Sequence, residues 1–173
     1  MKKNTVVIIG GTGQYGVILS QILIKKKFRI FITTRFSSKI KSFKKKYPQV
    51  KFVKLNIYNN KQIETLLKKI KPSVIFYFAG QSSPKKSFIK KKETFKSNYI
   101  GCKNILEFIY KNRLDIKFFN ATSSEMYGHI GGKINLETPK QPLNPYGEAK
   151  KKSFELVKKY RDEFGVSTYN AIM

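Results

Sequence analysis

The sequence contains one cysteine, one histidine and no tryptophan in 173 residues. With Cys102 alone, a disulfide framework and a cysteine-based metal cluster are both excluded, and a reducing, cytoplasmic setting is expected. With His129 alone, neither a zinc site nor a Ser-His-Asp triad is expected, and no metal is assigned. Acidic residues are also scarce, ten Asp+Glu against 36 Lys+Arg, for a formal charge of +26. The first carboxylate in the chain is Glu64. No apolar run approaches the ~20 residues needed to cross a bilayer. The start, Met1-Lys2-Lys3-Asn4, leads straight into a short strand-like run and not into a signal peptide. No membrane partner is expected.

So large a positive charge invites a nucleic-acid reading, but its make-up argues against one. Thirty-two of the cations are Lys and four are Arg, whereas phosphate and base readers favour the planar fork of Arg. Phe, Tyr, Ile, Lys and Asn supply 87 residues, and Gly, Ala, Arg and Pro supply 25. These are the residues of AT-rich and GC-rich codons respectively, so base composition accounts for the lysines, and a solvated basic surface is the physical result. The short runs Lys44–Lys46 and Lys90–Lys92 are read as wet faces.

What is present is an alternation of apolar runs and helical patterns, on a chain long enough for one domain and too short for two. Strands are predicted at Thr5–Ile9, Arg29–Thr33, Val50–Leu55, Ser73–Phe78, Ile116–Ala121 and Val166–Ile172. The first helix is predicted to carry Ile18, Leu19, Ile22 and Leu23 on one face. Ile63, Leu66, Leu67 and Ile70 recur at i, i+3, i+4 and i+7 on another. A long helix carries Asn98, Cys102, Ile105, Leu106 and Ile109, and a last one runs from about Tyr146 to Phe164. Near-continuous strands alternating with amphipathic helices predict a doubly wound α/β domain with a parallel sheet covered on both faces. The chain stops at Met173 as the sixth strand finishes. Ligands of such sheets sit beyond the strand carboxyl ends, so a fragment or a truncated gene product is expected.

The first strand runs into Gly10-Gly11-Thr12-Gly13-Gln14-Tyr15-Gly16 and then a helix. Both G-x-x-G-x-x-G and G-x-G-x-x-G fit, and either serves to turn the chain sharply and let a pyrophosphate approach the backbone. A turn without a ligand is the competing reading; the placement between first strand and first helix favours the ligand. An NAD site wants an acid roughly 20 residues past this loop. That place holds Thr33-Thr34-Arg35, with Ser37 and Ser38 behind it. Arg35 can pair with a 2′-phosphate, so NADP is expected in preference to NAD.

Tyr-x-x-x-Lys occurs three times, against about two expected by chance from ten Tyr and this much Lys. Tyr47/Lys51 leads into the third strand through Pro48, and Tyr99/Lys103 lies mid-helix away from any polar loop. Tyr146/Lys150 opens the last helix near the carboxyl end of the sheet, preceded by Pro142-Leu143-Asn144-Pro145. Its spacing places both side chains on one helix face, where a lysine can stabilise a phenolate whose ordinary pKa is ~10. After the fifth strand come Ser123-Ser124-Glu125-Met126-Tyr127-Gly128, hydroxyls and a carboxylate where an α/β enzyme keeps its chemistry. Capping hydroxyls in a plain turn are the alternative.

Taken together, the glycine loop, Phe78-Ala79-Gly80-Gln81-Ser82, Asn98, Ser123 to Gly128 and Tyr146-Gly147-Glu148-Ala149-Lys150 resemble the extended short-chain dehydrogenase/reductase family. Thr12-Gly13-Gln14, Arg35-Phe36-Ser37-Ser38, Gly80-Gln81-Ser82 with Ser87-Phe88, and Ser123-x-Glu125 are similar to its GDP-mannose 4,6-dehydratase branch. The resemblance covers essentially the whole chain and the cofactor-binding part of such an enzyme. It implies a Rossmann domain over residues 1–173 that binds NADP, with the substrate-binding carboxy-terminal part absent. Gly10, Thr12, Gly13, Gln14, Tyr15, Gly16, Arg35, Asn56, Ile57, Ala79, Gly80, Tyr146 and Lys150 would bind the cofactor. Gln81, Ser82, Ser87, Ser123, Ser124, Glu125 and Tyr146 would meet a nucleotide sugar, GDP-mannose. Ser123, Glu125, Tyr146 and Lys150 would carry catalysis, with Tyr146 taking the 4-hydroxyl proton and Glu125 the proton at carbon 5. A homo-oligomer is implied for the full-length enzyme. Three positions depart from the family pattern: Tyr15 replaces an acid in the glycine loop, Asn56 an aspartate near the adenine, and Ser123 a threonine.

Two other readings stay open. One is a related sugar-nucleotide epimerase or reductase on the same fold, for which Glu125 would be dispensable. The other is a non-catalytic NADP-binding or nucleic-acid-binding module, marked by lysines on one face and salt-sensitive affinity.

Overall fold

A computed structural model describes residues 4–35 and 37–173. Six parallel strands form one sheet in the order β3-β2-β1-β4-β5-β6. The strands are β1 (Thr5–Ile9), β2 (Arg29–Thr34), β3 (Lys51–Lys54), β4 (Val74–Tyr77), β5 (Lys117–Thr122) and β6 (Thr168–Ile172). The helices are α1 (Gln14–Lys25), α2 (Ser37–Lys46), α3 (Asn60–Ile70), α4 (Pro84–Ile89), α5 (Lys91–Phe95), α6 (Gly101–Lys111) and α7 (Pro145–Asp162). The strand order reverses between β1 and β4. In a sheet of this kind that reversal opens a crevice outside the carboxyl ends of the strands.

Strand alternation divides the core. Val7, Ile9, Phe31, Ile75, Tyr77 and Phe118 face α3, α6 and α7, while Val6, Ile8, Ile30 and Ile32 face Leu23 of α1 and Tyr47. The β1 side chains are at most 7% exposed, because a central parallel strand is covered on both faces. On the second face Phe76, Phe119 and Tyr169 stack across β4, β5 and β6 with centroids 5.0 and 4.8 Å apart.

Three sequence expectations need correction. The inward face of α1 is Gly16, Ser20 and Leu23, and Ile18 and Ile22 point to solvent, each about half exposed. The glycine-loop end of α1 packs so closely that small residues take the contact, leaving the larger ones outside. The single long helix before β5 is instead α4, α5, a π turn (Lys96–Ile100) and α6. Within the turn Asn98 Nδ2 donates 3.0 Å bonds to the Gln81 and Thr94 carbonyls, which ties the segment after β4 to the helix. Lastly, α7 ends at Asp162, and Phe164 lies beyond it, stacked on Tyr110 with centroids 4.9 Å apart.

Candidate functional site

The glycine loop leaves β1 at Gly10, which has φ +76°; a Cβ there would stand 2.7 Å from the Ala79 backbone. No other residue type fits that turn without moving β4's continuation. The loop closes through Gly10 N–H donating to the Thr33 carbonyl at 3.2 Å and Gly13 N–H donating to the Gly10 carbonyl at 3.1 Å. At the start of α1, Gly13 provides no side-chain cap, and the first turn has no acid. Its amide groups and the positive end of its dipole therefore open toward the crevice.

That crevice is a cleft of about 420 Å³. Gly10, Thr12, Gly13, Gln14, Tyr15, Gly16, Arg35, Asn56, Ile57, Ala79, Gly80, Gln81 and Ser82 all line it. So do Thr33, Thr34, Phe78, Tyr58, Glu93 and Ser97, which the sequence reading did not select. Asn56 is held by its own turn: its N–H donates to Gln62 Oε1 at 2.9 Å, and its Oδ1 accepts from Tyr58 N–H at 3.0 Å. Ser87 is elsewhere, fully buried, its hydroxyl donating to the Pro84 carbonyl. Phe36 and the side chains of Ser37 and Ser38 lie outside the described residues.

The second group of predicted residues gathers beyond β5 and at the first turns of α7, beside the cleft. Ser123 ends β5's run and caps the short 3-10 turn Ser124–Met126, accepting from Glu125 N–H at 3.3 Å. Its hydroxyl lies close enough to the Tyr146 hydroxyl to work against the rise in that group's pKa. Ser124 is exposed, and its N–H donates to the Met173 carbonyl at 3.2 Å. Asn144 does two jobs at once. Its Oδ1 accepts from Gly147 N–H at 2.8 Å, capping α7, while its Nδ2 donates to Glu125 Oε2 at 2.7 Å. Gly147 is required here because a Cβ would overlap the Glu125 carbonyl. One asparagine thus sets both where α7 begins and where the Glu125 carboxylate points. The Asn-Pro dipeptide was the available signal for the cap; nothing in the sequence marked the bond to Glu125.

Lys150 is nearly fully buried, and burial lowers its pKa to about 8. Its ammonium donates to the Ala121 carbonyl at 2.7 Å and sits 5.6 Å from the Tyr146 ring centroid. The expected effect on Tyr146 is not realised in this arrangement. Burial raises the Tyr146 pKa; the neighbouring Ser123 hydroxyl works against that, and the nearby Glu125 and Tyr15 add to it. The lysine is engaged with the Ala121 carbonyl, and desolvation of the phenol dominates. Tyr15 lines the cleft and also feels Tyr146, so it stands where the two groups of residues meet. The other two Tyr-x-x-x-Lys pairs form no such site. Tyr47 precedes β3 while Lys51 lies in it, and Lys103 pairs with Glu107 at 3.5 Å on α6.

A family profile described as GDP-mannose 4,6 dehydratase matches residues 7–173. The chain belongs to the GDP-mannose 4,6-dehydratase family. A curated GDP-mannose 4,6 dehydratase of Drosophila melanogaster is 28% identical across 99% of this chain and 47% of its own length. The Homo sapiens protein of the same name is 27% identical across 99% of this chain and 50% of its own. The chain spans about half the length of the curated relatives it matches. Among solved structures, dTDP-glucose 4,6-dehydratase from Bacillus anthracis, in complex with NAD, superposes with a TM-score of 0.81 at 24% identity over 97% of this chain and 53% of that one. UDP-glucose 4-epimerase from Brucella ovis, also with NAD, gives 0.85 at 18% identity over 98% and 51%. These likenesses show the shared Rossmann fold. Among the described residues, no group of His, Cys, Asp and Glu could hold a metal ion, and no helix is long and apolar enough to cross a membrane.

Proposed function

We propose that this chain supplies the dinucleotide-binding and acid–base half of a sugar-nucleotide 4,6-dehydratase, a lyase that converts GDP-mannose to GDP-4-keto-6-deoxymannose with NADP as cofactor. One observation carries the reading. A carboxylate, Glu125, is oriented by Asn144 near the Ser123 and Tyr146 hydroxyls, beside a cleft built on the glycine loop and reached through Tyr15. Simple hydride transfer at carbon 4 needs no such carboxylate; elimination across carbons 5 and 6 does.

The cleft fits a nicotinamide dinucleotide. The uncapped start of α1 suits a pyrophosphate, Asn56 and Ile57 line the end suited to an adenine, and Arg35 stands where a 2′-phosphate would be met. NAD accompanies the dehydratase and epimerase structures named above; the preference for NADP rests on Arg35 and on the carboxylate-free stretch before Glu64. When bound, the nicotinamide would supply a reversible hydride acceptor, taking up the carbon 4 hydride and giving it back at carbon 6 of the dehydrated sugar, whose carbon 5 regains a proton, so that there is no net redox change. Tyr146, whose pKa burial raises, must first lose its own proton. As the phenolate, with the Lys150 ammonium as the nearby cation, it accepts the proton of the sugar 4-hydroxyl, and Ser123 holds that oxygen. Glu125 removes the carbon 5 proton, made acidic by the 4-keto group, and returns a proton to the departing 6-hydroxyl, which leaves as water. Lys150, with a pKa of about 8, keeps a positive charge near Tyr146 at neutral pH. Ser124, Gln81 and Ser82 would contact the sugar. The full enzyme is read as a cytoplasmic homo-oligomer.

An epimerase is the second reading, because a UDP-glucose 4-epimerase of Mycoplasma genitalium is 28% identical over 86% of this chain. The test joins residues 1–173 to the carboxy-terminal half of a curated relative. Glu125→Gln should allow the first hydride transfer but reduce dehydration on the order of 10²–10⁴-fold and abolish solvent-deuterium exchange at carbon 5. Tyr146→Phe should stop the reaction before any NADPH absorbance appears. Normal dehydration by Glu125→Gln would remove Glu125 from the role of carbon 5 base, and epimerisation without dehydration by the unsubstituted enzyme would hand the site to the epimerase reading.

A further inference from the structure

The region before Glu64 contains no acid, yet the fold delivers one to the end of β2. Glu93 sits on α5, 58 residues beyond Arg35, and its Oε1 accepts from Arg35 Nη2 at 2.8 Å. Both residues line the cleft. Lys90 Nζ lies 3.6 Å from the other carboxylate oxygen. Tyr58 reaches the same place from the turn after β3, close enough for its hydroxyl to respond to both Arg35 and Glu93. The hydrogen bond from Arg35, with help from Lys90, holds the Glu93 carboxyl below its ordinary pKa, so it is ionised at neutral pH.

We infer that Glu93 sets how strongly this site distinguishes a dinucleotide bearing a 2′-phosphate from one bearing a free 2′-hydroxyl. The inference rests on the reading of the cleft as a dinucleotide site. A 2′-phosphate approaching Arg35 meets a guanidinium whose charge is already offset, with a carboxylate 2.8 Å from it. The phosphate must displace that carboxylate or share the guanidinium with it, and the two anions repel. A free 2′-hydroxyl faces no such repulsion and can donate to the carboxylate, the arrangement that an acid at the end of β2 provides in NAD sites. Arg35 and Glu93 therefore pull selectivity in opposite directions. Removing the negative charge from Glu93 also releases Lys90, so two cations become available to the phosphate. Both members of the pair are substantially exposed, which limits the effect to about fivefold, the upper end for such pairs. It should shrink at high salt.

The experiment is calorimetric titration of the 173-residue chain with 2′,5′-ADP and with 5′-AMP, which differ only in the 2′-phosphate. It is run on wild type, Glu93→Gln, Arg35→Ala and the double variant, at 50 mM and 500 mM salt. Glu93→Gln should tighten 2′,5′-ADP about fivefold while leaving 5′-AMP unchanged or weaker, and most of that gain should vanish in the Arg35→Ala background and at high salt. Equal changes for the two probes, or no change in either, would overturn the inference. If wild type prefers 5′-AMP and Glu93→Gln reverses the order, the NADP preference fails and the role of Glu93 stands. Binding of neither probe by any of the four proteins overturns both.

Discussion

Replacing Lys150 by Met should uncouple the stability of the domain from pH in one defined window. The side chain is 7% exposed, and burial brings its pKa from 10.5 to about 8. Below pH 8 both folded and unfolded chains carry the proton, and the folded state bears the whole cost of a buried ammonium. Between pH 8 and 10.5 the unfolded chain holds more protons than the folded one, so stability rises with pH. At about 1.4 kcal/mol per pH unit, the rise attributable to Lys150 is about 3 kcal/mol across the window. Lys150→Met removes it. The thioether also leaves the Ala121 carbonyl without its 2.7 Å donor, which costs about 1–3 kcal/mol, so near pH 7 the two effects largely offset. Other groups titrate in the same range. Burial pushes the Cys102 thiol up to about 12, a folded pKa above the unfolded one, and that stability is lost as pH rises from about 9. The useful quantity is therefore the difference between wild type and variant, in which those contributions cancel apart from the part of the Cys102 titration that Lys150 itself influences. Urea unfolding of both proteins at pH 7.5 to 10.5, followed by circular dichroism, measures it. The wild type should gain on the variant by about 3 kcal/mol over the window. A difference that stays flat with pH would refute the claim that a buried ammonium is carried at this site.

Asn144→Ala should cost about 1 kcal/mol in urea unfolding through loss of the α7 cap. Asn144→Ser should restore most of that stability while still lacking the bond to Glu125, so in the joined enzyme it should remain impaired in carbon 5 exchange. Gly10→Ala should destabilise by several kcal/mol or prevent folding, because φ is +76° and the new Cβ would lie 2.7 Å from the Ala79 backbone; a thermal melt within a few degrees of wild type would count against this.

Much of the fold was legible in the sequence because its signals are local. The continuous apolar runs at Val6–Ile9 and Ile75–Tyr77, the Ile63/Leu66/Leu67/Ile70 stripe and the glycine turn each report their own surroundings. Strand bounds shifted by a residue or two, since a strand ends where its neighbour stops pairing, which a single segment does not encode. The nearness of Ser123, Glu125 and Tyr146 could be anticipated because β5 ends and α7 begins at the same edge of the sheet. Tertiary structure alone decided three things. It turned Ile18 and Ile22 outward, because the close packing of the glycine loop rotates α1. It gave Lys150 to the Ala121 carbonyl and left burial to govern Tyr146, since desolvation depends on everything packed around a group and not on its i+4 neighbour. And it carried Glu93 across 58 residues of sequence to Arg35, supplying at the end of β2 the carboxylate whose absence from the nearby sequence had suggested the cofactor.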